Sequence, residues 1–174
     1  MALYLDIANF AGESESPNPN WKGKIEIFSM DYDIHQKASA QVGSGMVASA
    51  AEFQPMTITK VMDKSTPLLF AQLASGQMIT TPVTIRNSRP GATAVSGSAT
   101  GGLYEAESYV LTNVTIQSYA TSGTPGPGGL PLESWSFSFT AITENYQTVD
   151  AAGNLKAPMS QSYDVAGGVG AQIQ

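Results

Sequence analysis

From Ser134 to Thr140 the chain alternates a hydroxyl-bearing residue with a large aromatic one: Ser134-Trp135-Ser136-Phe137-Ser138-Phe139-Thr140. Successive side chains of a β-strand point to opposite faces, whereas a helix repeats about every 3.6 residues, so this stretch reads as a strand with Trp135, Phe137 and Phe139 on its core face. The same period of two recurs along the chain. Leu3, Leu5 and Ile7 alternate with Tyr4, Asp6 and Ala8, residues 56–61 alternate again, and residues 109–119 form a long β-branched and aromatic run. Residues 25–34 are apolar on both sides and read as one strand buried on both faces. Residues 77–85, with Ile79, Val83 and Ile85 in register, read as a strand that Pro82 confines to a sheet edge. A short last strand is expected over residues 159–165, after a turn at Gly153-Asn154.

One segment carries helix punctuation: Thr66 as N-cap, Pro67 at the first helical position, an apolar run to Ser75, and Gly76 as the left-handed residue that ends it. A helix this short falls below the roughly 12–15 residues needed for marginal stability alone, so Leu69, Phe70 and Leu73 are expected to press against a sheet. The expected fold is therefore mainly β, a two-sheet β-barrel with one short flanking α-helix and an extended loop or arm.

With 174 residues, 42% of them hydrophobic, the chain has material for one core, expected over residues 1–165 with a flexible Gly-rich tail over 166–174. It has no cysteine, which excludes disulfide frameworks, thiolate nucleophiles and cysteine-ligated metals. The net charge is −6 and the eight Lys and Arg are scattered, which argues against electrostatic binding of nucleic acid. Charged residues make up only 13%, about half the usual quarter, which points to extensive protein-facing surface. No window approaches the ~20 apolar residues that cross a bilayer, so no membrane insertion is expected. The opening Met-Ala-Leu-Tyr-Leu-Asp-Ile lacks a basic n-region and does not read as a secretory signal, so a cytoplasmic protein is expected.

The residues that could carry chemistry are few. His35 is the only histidine and follows the apolar Ile34, with no nucleophile elbow elsewhere, so it reads as a surface or interface residue. Asp31 and Asp33 flank Tyr32, and Glu105 and Glu107 flank Ala106; within a strand each i, i+2 pair would share one face, most simply a solvated or intersubunit acidic face. The Gly-rich stretches 87–102 and 121–129 contain no lysine and read as hairpin loops, not phosphate cradles. No catalytic residue, cofactor or metal is assigned. Residues 36–54 are mostly Ala, Ser, Gly and Gln, too long for a plain loop, and read as an arm or hairpin lying along another subunit, with Met46, Val47 and Phe53 as its apolar contacts.

Several segments together carry a resemblance: Gly12-Glu13-Ser14, then Lys22-Gly23-Lys24-Ile25-Glu26-Ile27; Thr57-Ile58-Thr59-Lys60 leading into Asp63-Lys64-Ser65-Thr66-Pro67-Leu68-Leu69, closed by Gly76; and Glu133, Tyr146, Gly153, Ala157-Pro158 and Tyr163-Asp164. In order and spacing, over nearly the whole chain, these resemble the haemolysin-coregulated proteins (Hcp), the tube subunits of bacterial type VI secretion. Tyr32 stands where many members have tryptophan, and the 87–102 loop is longer than usual. The resemblance implies a homo-hexameric ring that stacks into a hollow tube inside a contractile sheath, with a spike protein at the tip and effector proteins in the lumen. It also implies secretion without a signal peptide, and no enzymatic role. A second reading is a monomeric carbohydrate-binding β-sandwich that uses Trp21 as a sugar platform.

Overall fold

The computed structural model describes residues 2–16, 18–41, 45–90, 103–151 and 154–170. Its first strands are β1 (Ala2–Ile7), β2 (Ile25–Ile27), β3 (Ser29–Asp31), β4 (Ile34–His35), β5 (Ala38–Gln41), β6 (Gly45–Ala48), β7 (Glu52–Phe53) and β8 (Met56–Val61). The helix α1 (Thr66–Ser75) follows, then β9 (Val83–Pro90), β10 (Leu103–Thr112), β11 (Thr115–Pro125), β12 (Pro131–Ser138), β13 (Ala141–Tyr146), β14 (Met159–Asp164) and β15 (Val169–Gly170). A seven-stranded sheet runs β15-β14-β13-β10-β9-β1-β2 and a four-stranded sheet runs β11-β12-β8-β3. Two further ladders, β4-β7 and β5-β6, form the arm.

The period-two positions become the core between the two sheets. Trp135 and Phe137 are fully buried, as are Met56 and Ile58 from the neighbouring β8, and Leu5, Ile25, Val83, Ile85 and Leu111 face them from the larger sheet. Phe139, just past β12, is half-buried and packs against this cluster together with Leu73.

Residues 25–34 are not one strand. The chain leaves the larger sheet after Ile27 and enters the smaller one at Ser29, with the Phe28 N–H donated to the Thr59 carbonyl. Ile25 and Ile27 face the core from one sheet and Met30 packs on it from the other, which is why the run is apolar on both sides; Phe28, at the corner, is exposed. A second corner lies between β10 and β11, at Asn113 with φ 50°. β9 is an interior strand, not an edge: it begins at Val83, directly after Pro82, so the missing proline N–H falls outside the ladder between β1 and β10. Ile79 instead makes a bridge to Val114.

The pair Glu105 and Glu107 does not share a face. A bulge at Ala106 sets Glu105 opposite Ser88 and Glu107 opposite Asn87, adjacent residues whose side chains leave opposite sides of the sheet. Within the segment read as a tail, Val169–Gly170 pairs with Asp164 and Tyr163; residues 171–174 lie outside the described residues, as do 91–102 of the long hairpin connection.

Candidate assembly surfaces

Lys60 occupies an inward position of β8, in phase with Met56 and Ile58, and Glu133 an inward position of β12, in phase with Trp135; the two pair directly across the ladder. Lys60 is 0% exposed and Glu133 1%. A charge taken out of water needs a partner and filled hydrogen-bond positions, and both are present here. The Lys60 ammonium lies 2.8 Å from Asp63 Oδ1 and 3.1 Å from Glu133 Oε2, and donates to the Thr66 hydroxyl at 3.0 Å. Glu133 also accepts from Thr66 Oγ1 at 2.8 Å, Trp135 Nε1 at 3.2 Å and the Tyr119 hydroxyl at 3.3 Å. Burial, and next the Glu133 charge, push the Tyr119 phenol up.

This network fixes where α1 starts and corrects the cap. Ser65, not Thr66, is the N-cap residue: its carbonyl accepts the first helical N–H, from Leu69, and it makes no side-chain cap bond, while the Thr66 hydroxyl is engaged by Lys60 and Glu133; Pro67 lies in the first turn. Gly76 ends the helix with φ 64° and donates its N–H to the Leu73 carbonyl. Leu69 is fully buried, but Phe70 is 54% exposed and does not belong to the core. One residue further round the helix, its ring meets Tyr119 of β11 edge-on at 6.3 Å. Leu68 is exposed beside it, and α1 carries no charged residue along its length, an uncommon composition for a helix face left in water.

The arm leaves the body through an aromatic root. Phe53 stacks on Tyr163 at 4.7 Å and meets Phe139 edge-on at 6.4 Å, while Tyr32 packs against Tyr109 and Phe139. Phe53, expected as a contact to another subunit, is thus half-buried against its own chain. Met46 and Val47 lie on β6, opposite Ala40 and Ser39, and their side chains fall outside the described residues. The arm's flank is charged: His35 Nε2 lies 2.9 Å from Asp33 and Lys37 Nζ lies 3.5 Å from Glu52, all exposed, with no nucleophile on His35.

Trp21 is 3% exposed and stacks on Tyr4 at 5.0 Å, so it offers no platform to a sugar ring. Among the described residues each sheet ends in strands paired on one side only: β2 and β15 in the larger, β11 and β3 in the smaller. What the geometry brings together is a polar lock under an uncharged helix, an arm of two short ladders and strand edges paired on one side, and among the described residues it presents no catalytic constellation. The Lys60–Glu133 lock was not picked out from the sequence, although its signal is there: two opposite charges at core-facing positions of two alternating strands.

The family described as "Type VI secretion system effector, Hcp" matches residues 4–146. The chain belongs to the Hcp family. Solved structures share its fold at low identity. One described as a type six secretion system protein is 19% identical with a TM-score of 0.82, covering 98% of this chain and 99% of that one. Hcp1 from Salmonella typhimurium is 20% identical with a TM-score of 0.71, covering 98% of each chain. A type VI secretion system effector from Yersinia pestis is 21% identical with a TM-score of 0.66, covering 94% of this chain and 99% of that one. Comparison with curated protein sequences gives no match. The most distinctive Hcp-like block read from the sequence, Thr57 through Gly76, contains Lys60 of the buried lock and the helix it anchors.

Proposed function

We propose that this Hcp-family chain is the repeating subunit of a type VI secretion tube, six copies closing into a ring and rings stacking into a hollow tube. In this reading the tube assembles in the cytoplasm inside a contractile sheath, carries a spike protein at its tip and effector proteins in its lumen, and is ejected without a signal peptide. The family match over residues 4–146 carries the reading. The surfaces support it: a ring needs one patch to meet a different patch on the next copy, and the arm and the body provide two unlike surfaces on one chain. Open strand edges are an aggregation hazard unless something pairs or covers them, and a neighbouring copy does so.

Negative-stain electron microscopy of the purified chain, with its mass in solution from light scattering, tests this. Hollow rings and a mass of about six subunits are expected. A monomer at every concentration, without rings or tubes on the grid, would sink the proposal.

A further inference from the structure

The inner face of the larger sheet changes character where it passes the core. On β9, β10 and β13 the rung Val83, Leu111 and Ile142 is apolar and buried; the next holds Ile85, Tyr109 and Glu144, and the one after it Asn87, Glu107 and Tyr146. Glu107 and Glu144 are therefore diagonal neighbours on one face, close enough for side chains to meet. Neither has an ion-pair partner among the described residues. The basic side chains Lys24 and Arg86 are engaged with Asp6 and Glu105, and Arg89, two residues beyond Asn87 on β9, is exposed and pairs with neither carboxylate.

Two buried oxygens at this place also lack partners. Asn87 is 8% exposed; its Nδ2 donates to Glu107 Oε2 at 3.4 Å, and its Oδ1, an acceptor on the same planar amide, receives nothing. The Tyr32 hydroxyl is buried and unpartnered, with its ring 6.1 Å from that of Tyr109, whose hydroxyl donates to Glu107 Oε1 at 2.8 Å. Burial, and then the Glu144 charge, raise the Tyr32 phenol to about 12.

Two carboxylates without a counter-ion, beside an unused amide oxygen and an unused phenol oxygen, make an all-oxygen set with a deficit of positive charge. We propose that Asn87, Glu107, Glu144 and Tyr32 bind a hard divalent cation of the calcium class at the root of the arm. Such ions take six to eight oxygens at flexible geometry, with water completing the shell. No group of three or more His, Cys, Asp or Glu converges among the described residues, so the site rests on two carboxylates with neutral oxygens. That charge count puts it among weak calcium sites, with a Kd of roughly 10⁻⁴–10⁻³ M. Because Tyr32 packs on Phe53, the ion would tie the root of the arm to the sheet.

The test uses the full chain with terbium, which replaces calcium and emits when a nearby tyrosine is excited, followed by calcium displacement and calorimetry with calcium chloride. Tyrosine-sensitised emission reversed by millimolar calcium is expected, about tenfold weaker binding in Glu107→Gln and in Glu144→Gln, and none of this loss in Glu105→Gln, whose carboxylate lies on the opposite face. Glu144 is exposed, so its variant remains informative where Glu107→Gln fails to fold. Absence of both emission and calcium heat would overturn the site and leave water as its occupant. Unchanged binding in Glu144→Gln would overturn it equally, because the ion would then sit elsewhere.

Discussion

Lys60 is fully buried and held by two carboxylates. Replacing Lys60 by methionine leaves Glu133 charged, buried and without a counter-ion, which costs about 3–5 kcal/mol. Against a total stability of roughly 5–15 kcal/mol that is a large share. Removing both charges, as in Lys60→Met/Glu133→Leu, takes away the buried unpaired carboxylate but leaves the Thr66, Trp135 and Tyr119 donors unfilled, so the double variant should recover part of the loss seen in Lys60→Met alone. Urea unfolding of the three proteins decides it, and strictly additive costs would show that the two residues do not act as a pair. Tyr32 behaves differently. Its buried hydroxyl has no partner, so Tyr32→Phe, measured with a chelator present, should be neutral or stabilising at neutral pH. The phenol is raised from 10.0 to about 12, so the folded chain holds this proton more tightly than the unfolded one. Below pH 10.0 the phenol is protonated in both states and pH does not act through it; as pH rises from 10.0 toward 12 the unfolded chain releases the proton first and the fold loses stability. Urea midpoints across that window should fall less steeply in Tyr32→Phe than in the wild type; parallel curves would refute the assignment.

At the scale of elements, the residues just after β1 approach the start of β2 at Gly12 so closely that only glycine fits. A Cβ at Gly12 would lie 2.3 Å from the Lys24 carbonyl oxygen and 2.4 Å from Ile25 Cα, both backbone atoms that cannot step aside cheaply. Gly12→Ala should therefore cost about 1–3 kcal/mol, seen as a melting temperature several degrees lower, and an unchanged melting curve would contradict the packing described. Gly12 also marks what a sequence does and does not disclose. Strands β1, β8 and β12 were legible because each has one face in the core and one outside it, so period two writes burial directly into residue order. The corners at Phe28 and Asn113 were not, since alternation says which side a residue faces and nothing about which sheet that side belongs to. The bulge at Ala106 escaped for a related reason: one extra residue reverses the faces downstream without altering composition, so Glu105 and Glu107 looked like neighbours. Helix α1 was found from its proline and glycine, yet Phe70 was assigned inward because a ten-residue helix with four large apolar residues has no polar face to orient it. The sequence marked residues 36–54 as an arm, and the structure places Phe53 at its aromatic root.

For the whole molecule, the arm is the part whose loss should be felt only in assembly. Its two ladders pair with themselves and touch the body through the root, so deleting residues 42–49 should leave melting and circular dichroism close to wild type while abolishing rings in the light-scattering and microscopy assays. Intact rings from the deleted chain would move the subunit contact elsewhere, toward the uncharged helix and Phe70. In the proposed tube, the absence of charge on α1 and the 13% charged content of the chain would serve one end, since a surface that meets protein then carries few groups that must shed water.

The buried lock also limits how sequences of this fold can drift. Lys60 answers to Glu133, Asp63 and Thr66 at once, and Glu133 to Trp135 and Tyr119 besides. A single substitution at either charge strands the other, so in this chain the two residues can be exchanged without loss only in concert. Among relatives as distant as 19% in identity, a chain that has exchanged its lysine for an apolar residue should have exchanged the facing glutamate as well, and a lineage caught between the two steps should be rare.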